Sequence, residues 1–510
     1  MTGLYNKIIN SLPGVASPAK RLTFKQRLMW TGGILLIFFI LGQVQLYGVD
    51  INAVANFGVL QQIMASTMGS LITLGIGPIV TASIILQLLV GSGMIPWNLQ
   101  TAEGRATFQG TQKLLAILFC IFEAFAYVKF RAIPPANDSL SMFIILVAQI
   151  AFGGFLILLM DETVSKWGIG SGISLFIAGG VTRRIFVRSF SPFAAEAGGY
   201  AAGVVPRFFM FLRDGLTHQA IYTILPLIAT ALVFGIVVYA QNIKVEIPLA
   251  FGSFTGLGRR WPLKFIYTSN IPVILTAALL ANLRLVGGMI AKPAAEGLRC
   301  GIMGCFNENN APVSGLLFYL SSPGNTPSIQ VFFLTFGIIF FLGLLAAVLI
   351  FKQRQKTIIL ASAIAGIILA FISMYYFAGM PDIRSIIRIL TYLTFMMAGA
   401  SLFSLFWMET SGMDAHSVAT QIQGIGMQIP GFRRDPRIVE KVLSRYILPL
   451  TIMGALFVGA IAAFADFTNA LGSGTGILLT AMIIFNFYEQ VSAKYMEDMN
   501  PALRKFLGSS

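Results

Sequence analysis

Glu123 is the residue whose setting most invites a chemical role. It stands alone in the apolar run FCIFEAFAYV. A carboxylate at membrane depth is costly, so it is a functional hypothesis by default; a hydrogen bond to a neighbouring helix is the plainer reading. Signatures of bond-making chemistry are missing elsewhere. There is no G-x-x-x-x-G-K-[ST] phosphate cradle and no H-E-x-x-H, and the two histidines, His218 and His416, stand far apart. Three cysteines (Cys120, Cys300, Cys305) give no metal framework. No catalytic residue, metal or cofactor is therefore expected.

The densest pattern is apolar. LITLGIGPIVTASIILQLL places Gly75, Gly77 and Pro78 at the start of a hydrophobic run, with Ile76 and Val80 four residues apart on one helical face. GIGSGISLFI repeats the arrangement, a glycine-broken start followed by Ile173 and Ile177. Membranes tolerate such breaks where a cavity or a neighbour satisfies the backbone. The apolar pairs read either as ordinary packing or as the lining of a narrow constriction that gates by excluding water. YTSNIPVILTAALLANLRL adds Pro272 early in a helix with Asn270 and Asn282, which reads as a moving helix or as a kinked one with satisfied amides.

Elements of a particular kind must hold these residues. Of 510 residues, 56% are hydrophobic and only 11% charged, against about 25% charged in soluble domains. That excludes an ordinary soluble enzyme and a disordered chain. A spanning helix needs about 20 mostly apolar residues. Twelve runs qualify: Leu28–Tyr47, Leu71–Val90, Leu114–Phe130, Met142–Met160, Ile169–Val187, Ile221–Ala240, Phe265–Leu285, Val331–Phe351, Thr357–Phe377, Ile386–Met408, Tyr446–Phe467 and Gly472–Gln490. Val54–Met68 is too polar to span. The first run has no A-x-A-like exit and is expected to stay as an anchor. The net charge of +15 points to basic cytoplasmic loops. With both termini inside, 23 of the 35 Lys and Arg fall on the inner side. Arg183, Arg184, Arg188, Arg207 and Arg213 are the outer exceptions. Leu4, Ile8 and Leu12 suit a short surface helix or a frayed terminus. Residues 191–204 and 287–328 read as external loops. There Cys300 and Cys305 either form a disulfide or stay as two thiols. Asn137, in N-D-S, is a formal glycosylation acceptor on the same side.

The blocks ITLGIGPIVTASIILQLLVGSGMI, RATFQGTQKLLAI, WGIGSGISLFIAGGV, VEIPLA, YTSNIPVIL, FWMETSGMD and GSGTGILLTAMIIFNFYEQ, in this order, resemble the SecY family, the large subunit of the protein-conducting channel, and its archaeal form most. The resemblance implies an all-α polytopic protein of the cell membrane, N-in and C-in, built from two pseudo-symmetric five-helix halves. Here the organisation would be a cytoplasmic amphipathic arm (1–27), a first half (28–190, plug about 54–68), an external loop (191–220) and the start of a second half (221–330). An inserted helical hairpin (331–377), the rest of the second half (378–493, cytoplasmic loop 409–445) and a cytoplasmic tail (494–510) follow. The hairpin departs from the ten-helix pattern, and its turn KQRQK belongs in the cytoplasm.

The resemblance also implies roles. Ile76, Val80, Ile173, Ile177, Ile274 and Leu479 would form the apolar pore ring. Thr81, Glu123 and Asn282 would form the polar cluster of a lateral gate. Arg259, Arg260, Arg433 and Arg434 would dock the ribosome, with ribosomal RNA as a contact. Implied partners are SecE/gamma-type and beta-type small membrane subunits, the ribosome and signal-recognition-particle machinery, the nascent polypeptide and membrane lipid. The function implied is passage of unfolded secretory polypeptides and lateral release of membrane spans into lipid. A secondary transporter, which shares broken helices, is the rival reading; it would want a polar site at mid-membrane depth.

Overall fold

The structure is a computed structural model. It describes residues 12–50, 67–91, 94–97, 101–130, 132–137, 139–193, 199–251, 258–268, 271–294, 298–307, 311–323, 326–349, 355–377, 379–424, 427–428, 436–472 and 474–499. Most of the expected plug, residues Leu4 and Ile8 of the arm, and both Arg433 and Arg434 lie outside these.

The first half contains α1 (Phe24–Leu41), α2 (Gly77–Gly91), α3 (Ala102–Lys129), α4 (Leu140–Trp167) and α5 (Gly172–Phe190). Each start has a local cause. At α1, Thr23 and Gln26 form a reciprocal capping box. At α3 and α4, Thr101 and Ser139 accept an amide of the first turn. The run expected from Leu71 becomes helical only at Gly77; residues 71–76 are turns, with Gly75 in the left-handed region (φ +55°) and Pro78 in the first helical turn, where a missing N–H costs nothing. The arm is tied to α4: Lys166 Nζ donates to the Val15 carbonyl, and Trp167 Nε1 to that of Ala16 at 2.8 Å.

The chain continues through α6 (Val204–Arg213), α7 (Thr217–Gln241), β1 (Lys244–Phe251), β2 (Gly258–Lys264) and α8 (Ile271–Ile290). Strands β3 (Lys292–Pro293), β4 (Arg299–Gly301), β5 (Gly304–Phe306) and β6 (Pro312–Ser314) follow, then α9 (Leu316–Tyr319). So neither expected external loop is wholly irregular. Residues 204–213 are helical, and β3–β6 form a four-stranded antiparallel meander. Cys300 and Cys305 sit directly opposite across β4 and β5 and are disulfide-bonded.

Helices α10 (Pro327–Leu349) and α11 (Gln355–Phe377) pack together where the helical hairpin 331–377 is expected. Phe333 of α10 packs on Phe467, ring centroids 5.0 Å apart, while Leu360, Ile364 and Ile368 of α11 stay exposed. That outer face suits lipid. The remainder is α12 (Ile383–Thr410), α13 (Ala415–Gly424), β7 (Met427–Gln428), α14 (Pro436–Phe467) and α15 (Gly474–Met499).

Among the described residues ten helices are long and apolar enough to cross a membrane, and Gly77–Val90 is a shorter apolar one. Helix α5, which completes the twelve expected runs, carries Arg183, Arg184 and Arg188 in its last turns. Across the halves, α2 packs on α12, and α5 on α15.

At the basic end of the bundle, β1 pairs antiparallel with β2 and with β7. Ile247, Leu263, Val418, Ile422 and Leu443 form the core beneath that sheet. Tyr267 Oη donates to the Met413 carbonyl at 2.8 Å, fixing the approach to α8. Burial, with the Asp414 charge second, pushes this phenol up to about 12, so it remains a donor at neutral pH.

Candidate pore constriction and lateral seam

Four short stretches, each opening a helix or lying within one, carry the six aliphatic residues expected at the pore ring. Ile76 closes the turn before α2, and its carbonyl accepts the Val80 amide at 3.0 Å, so the two side chains sit one turn apart. Ile173 and Ile177 lie on the first turns of α5, Ile274 on the first turn of α8, and Leu479 in α15. All six belong to one apolar cluster. Ile76, Ile177 and Leu479 are at most 1% exposed in the main core, and Val80, Ile173 and Ile274 are half-buried against that core.

Val80, Ile173, Ile177 and Ile274 face a cavity of about 440 Å³. Its other lining includes Ser83, Gln87, Gln112, Asn486 and Gln490. The last three belong to the first turns of α3 and the later turns of α15, at the basic end of the molecule. A second space of about 1170 Å³, lined by Arg105, Gln109, Glu409, Asp414 and Gln421, lies beyond it, with Phe108 on both. The smaller space is lined mainly by apolar groups, and the larger by polar and apolar groups alike. Ile76 and Leu479 do not line the cavity and are buried in the apolar core.

Beside the constriction runs a seam of small residues. Ala277, Ala278 and Ala281 of α8 meet Ile84 of α2 and Met68. Thr81 Oγ1 donates to Glu123 Oε1 at 3.2 Å. That bond joins α2 to α3, on one side of the seam. Glu123 Oε2 is buried with no hydrogen-bond partner. Asn282, half-buried on α8, makes no hydrogen bond to either among the described residues. The expected three-residue cluster is thus a pair plus a separate amide. Arg259 and Arg260 lie on β2, paired in register with Leu249 and Pro248.

The sequence reading passed over a second polar group at membrane depth. Tyr392 Oη of α12 donates to Asp466 Oδ2 of α14 at 2.6 Å, and Arg284 of α8 interacts electrostatically with both. Arg284 Nε is buried without a hydrogen-bond partner. Arg388 of α12 donates to the Phe318 and Ser322 carbonyls at 3.1 and 2.7 Å and stacks over the Phe318 ring. An Asp and an Arg, each inside an apolar run, were the available signal.

Among the described residues, ten apolar helices long enough to span, with aliphatic side chains of α2, α5 and α8 facing one internal cavity, define a polytopic membrane protein of channel type. The family model described as SecY matches residues 70–488. The chain is 39% identical to "Protein translocase subunit SecY" of Methanococcus vannielii, covering 98% of each, and 38% identical to its namesake in Methanothermobacter thermautotrophicus, covering 99% of this chain and 98% of that one. The solved structure titled "The structure of a protein conducting channel" superposes with a TM-score of 0.75 at 38% identity, over 97% of this chain and 98% of the other. "Sec61 in the Canine ribosome-channel complex from the endoplasmic reticulum" gives 0.72 at 38% identity, over the same shares. The chain belongs to the SecY family.

Proposed function

We propose that this chain is the pore-forming subunit of a Sec protein-translocation channel, and that the six clustered aliphatic residues are its constriction. One observation carries the reading: Val80, Ile173, Ile177 and Ile274, drawn from both halves, face one internal cavity, and Ile76 and Leu479 belong to the same apolar core. An aliphatic ring offers an ion no substitute for its hydration shell, so it resists ion passage. Branched side chains can still part around an unfolded polypeptide without needing any particular hydrogen bond. Residues 54–68 act as the plug.

The seam between α2 and the pair α8 and α12 is the lateral exit. Each CH₂ moved from water to lipid contributes about 0.8 kcal/mol, so a span-length apolar segment leaves through a parted seam of its own accord. Small alanines make that seam easy to part, because they interlock little. SecE/gamma-type and beta-type subunits complete the channel, and signal-recognition-particle machinery delivers its substrates. Arg259 and Arg260, with Arg433 and Arg434 of the neighbouring loop, dock the ribosome through charge contacts with its RNA.

Proteoliposomes carrying the chain with its small subunits test this. An unfolded preprotein fed by ribosomes should become protected from added protease inside the vesicles, and small-solute uptake should stay at the level of empty vesicles. Solute uptake without preprotein protection would favour a transporter and remove the proposal.

A further inference from the structure

The two halves carry the same short motif ahead of a constriction residue. Gly170-Ser171-Gly172 leads into α5, and Gly472-Ser473-Gly474 leads into α15. In each, the first glycine takes a left-handed φ, +81° at Gly170 and +109° at Gly472. In each, the second glycine begins the helix, and the constriction residue stands five positions later: Ile177 and Leu479.

An aspartate near the end of the preceding helix meets each start. Asp161 of α4 accepts the Ile173 amide at 2.9 Å through Oδ1, and the Gly172 amide as well. Asp466 of α14 accepts the Gly474 amide at 2.6 Å through Oδ1. The first amides of a helix have no internal partner, and its N-terminus favours negative charge. The second glycines let the backbones touch. A Cβ on Gly172 would sit 2.6 Å from Asp161 Cα, and one on Gly474 would sit 2.4 Å from the Ala462 carbonyl oxygen. Only the second cap is clamped further: its other carboxylate oxygen holds Tyr392 of α12, a helix of the lateral seam.

We infer that Asp161 and Asp466 are paired positioning residues that set the height of the two constriction helices, α5 and α15, and that Tyr392 links the second of them to the seam. The inference rests on the reading of Ile177 and Leu479 as constriction residues. Parting the seam moves α12 and, through Tyr392, pulls on Asp466 and the start of α15. The constriction then loosens when the seam opens, with α5 as the fixed side.

Halide leak from proteoliposomes holding the full complex tests this, with Asp161→Ala, Asp466→Ala, Asp161→Asn, Asp466→Asn and Tyr392→Phe set beside Leu479→Ser. A lost cap of this kind shifts an equilibrium roughly fivefold, so the alanine variants should leak several-fold above the parent. Asp161→Asn keeps the acceptor oxygen and should restore the seal, which a merely charged role would not allow; Asp466→Asn keeps one acceptor for the Gly474 amide but gives up the Tyr392 bond, so it should leak as Tyr392→Phe does. Tyr392→Phe should leak between the parent and Asp466→Ala; it also carries the test if an alanine variant does not fold. Parent-level leak in folded alanine variants, or in Tyr392→Phe, while Leu479→Ser leaks, overturns the inference alone. Parent-level leak in Leu479→Ser overturns the constriction reading and takes the inference down with it.

Discussion

Glu123 has one oxygen bound to Thr81 and the other buried without a partner. Such a carboxylate stays in place because Thr81 holds it, yet it could accept a second donor if α8 moved. A membrane hydrogen bond of this kind averages about 0.6 kcal/mol, small enough to bias a gate without locking it. Thr81→Val and Glu123→Leu should therefore each change, in the same direction and by a similar small step, the signal hydrophobicity needed for export. The double variant should match either single one, since both remove the same bond. Additive effects in an export assay with graded signals would show that the bond is not the shared cause. Asn282→Leu, which breaks no bond to this pair, should have an independent effect. The type of Glu123 and its burial were legible in its apolar run; its partner was not, because 42 positions separate it from Thr81. Asp466 and Tyr392 are 74 apart, and a lone Asp near a helix end looks like a boundary residue until the fold brings α12 against it.

Hydrophobic runs made the long helices readable, and glycine and proline told where one of them breaks. What those signals could not supply was strand structure. Strands β3–β6 are two or three residues each, too short for alternation to register, and their pairing depends on the hairpins around Cys300 and Cys305. The β1–β2 hairpin was likewise hidden inside a loop defined only by its charge. The inserted hairpin shows the opposite case, where packing detail yields a firm consequence. Gly337 of α10 faces Phe464, and a Cβ there would come within 2.5 Å of that ring. Gly337→Leu should destabilise the protein by about 1–3 kcal/mol through overpacking, read as a lower midpoint in thermal unfolding in detergent. Leu360→Ala on the exposed face of α11 should leave the midpoint unchanged. Equal midpoints for the two variants would mean that α10 does not pack on α14 as described.

At the scale of the whole molecule, charge and greasiness are segregated. Strand β7 stitches the 409–445 segment to the hairpin that carries Arg259 and Arg260. The strand that precedes Arg433 and Arg434 in sequence therefore shares a sheet with the strand that carries Arg259 and Arg260. Arg260→Glu or Arg434→Glu should weaken ribosome binding, and each Arg→Ala should reduce the salt slope of that binding by about 1. Unchanged slopes at both positions would remove the RNA contact.

The central claim is that an unfolded chain threads the six-residue constriction between the halves. Site-specific crosslinkers at positions 76, 80, 173, 177, 274 and 479, with exposed Leu360 and Ile364 of α11 as lipid-facing controls, read it directly in the presence of a stalled nascent chain. Adducts at the six positions, absent at the controls and absent without the ribosome-bound chain, are the predicted result. A stalled chain that reacts at the controls and not at the six positions would contradict it.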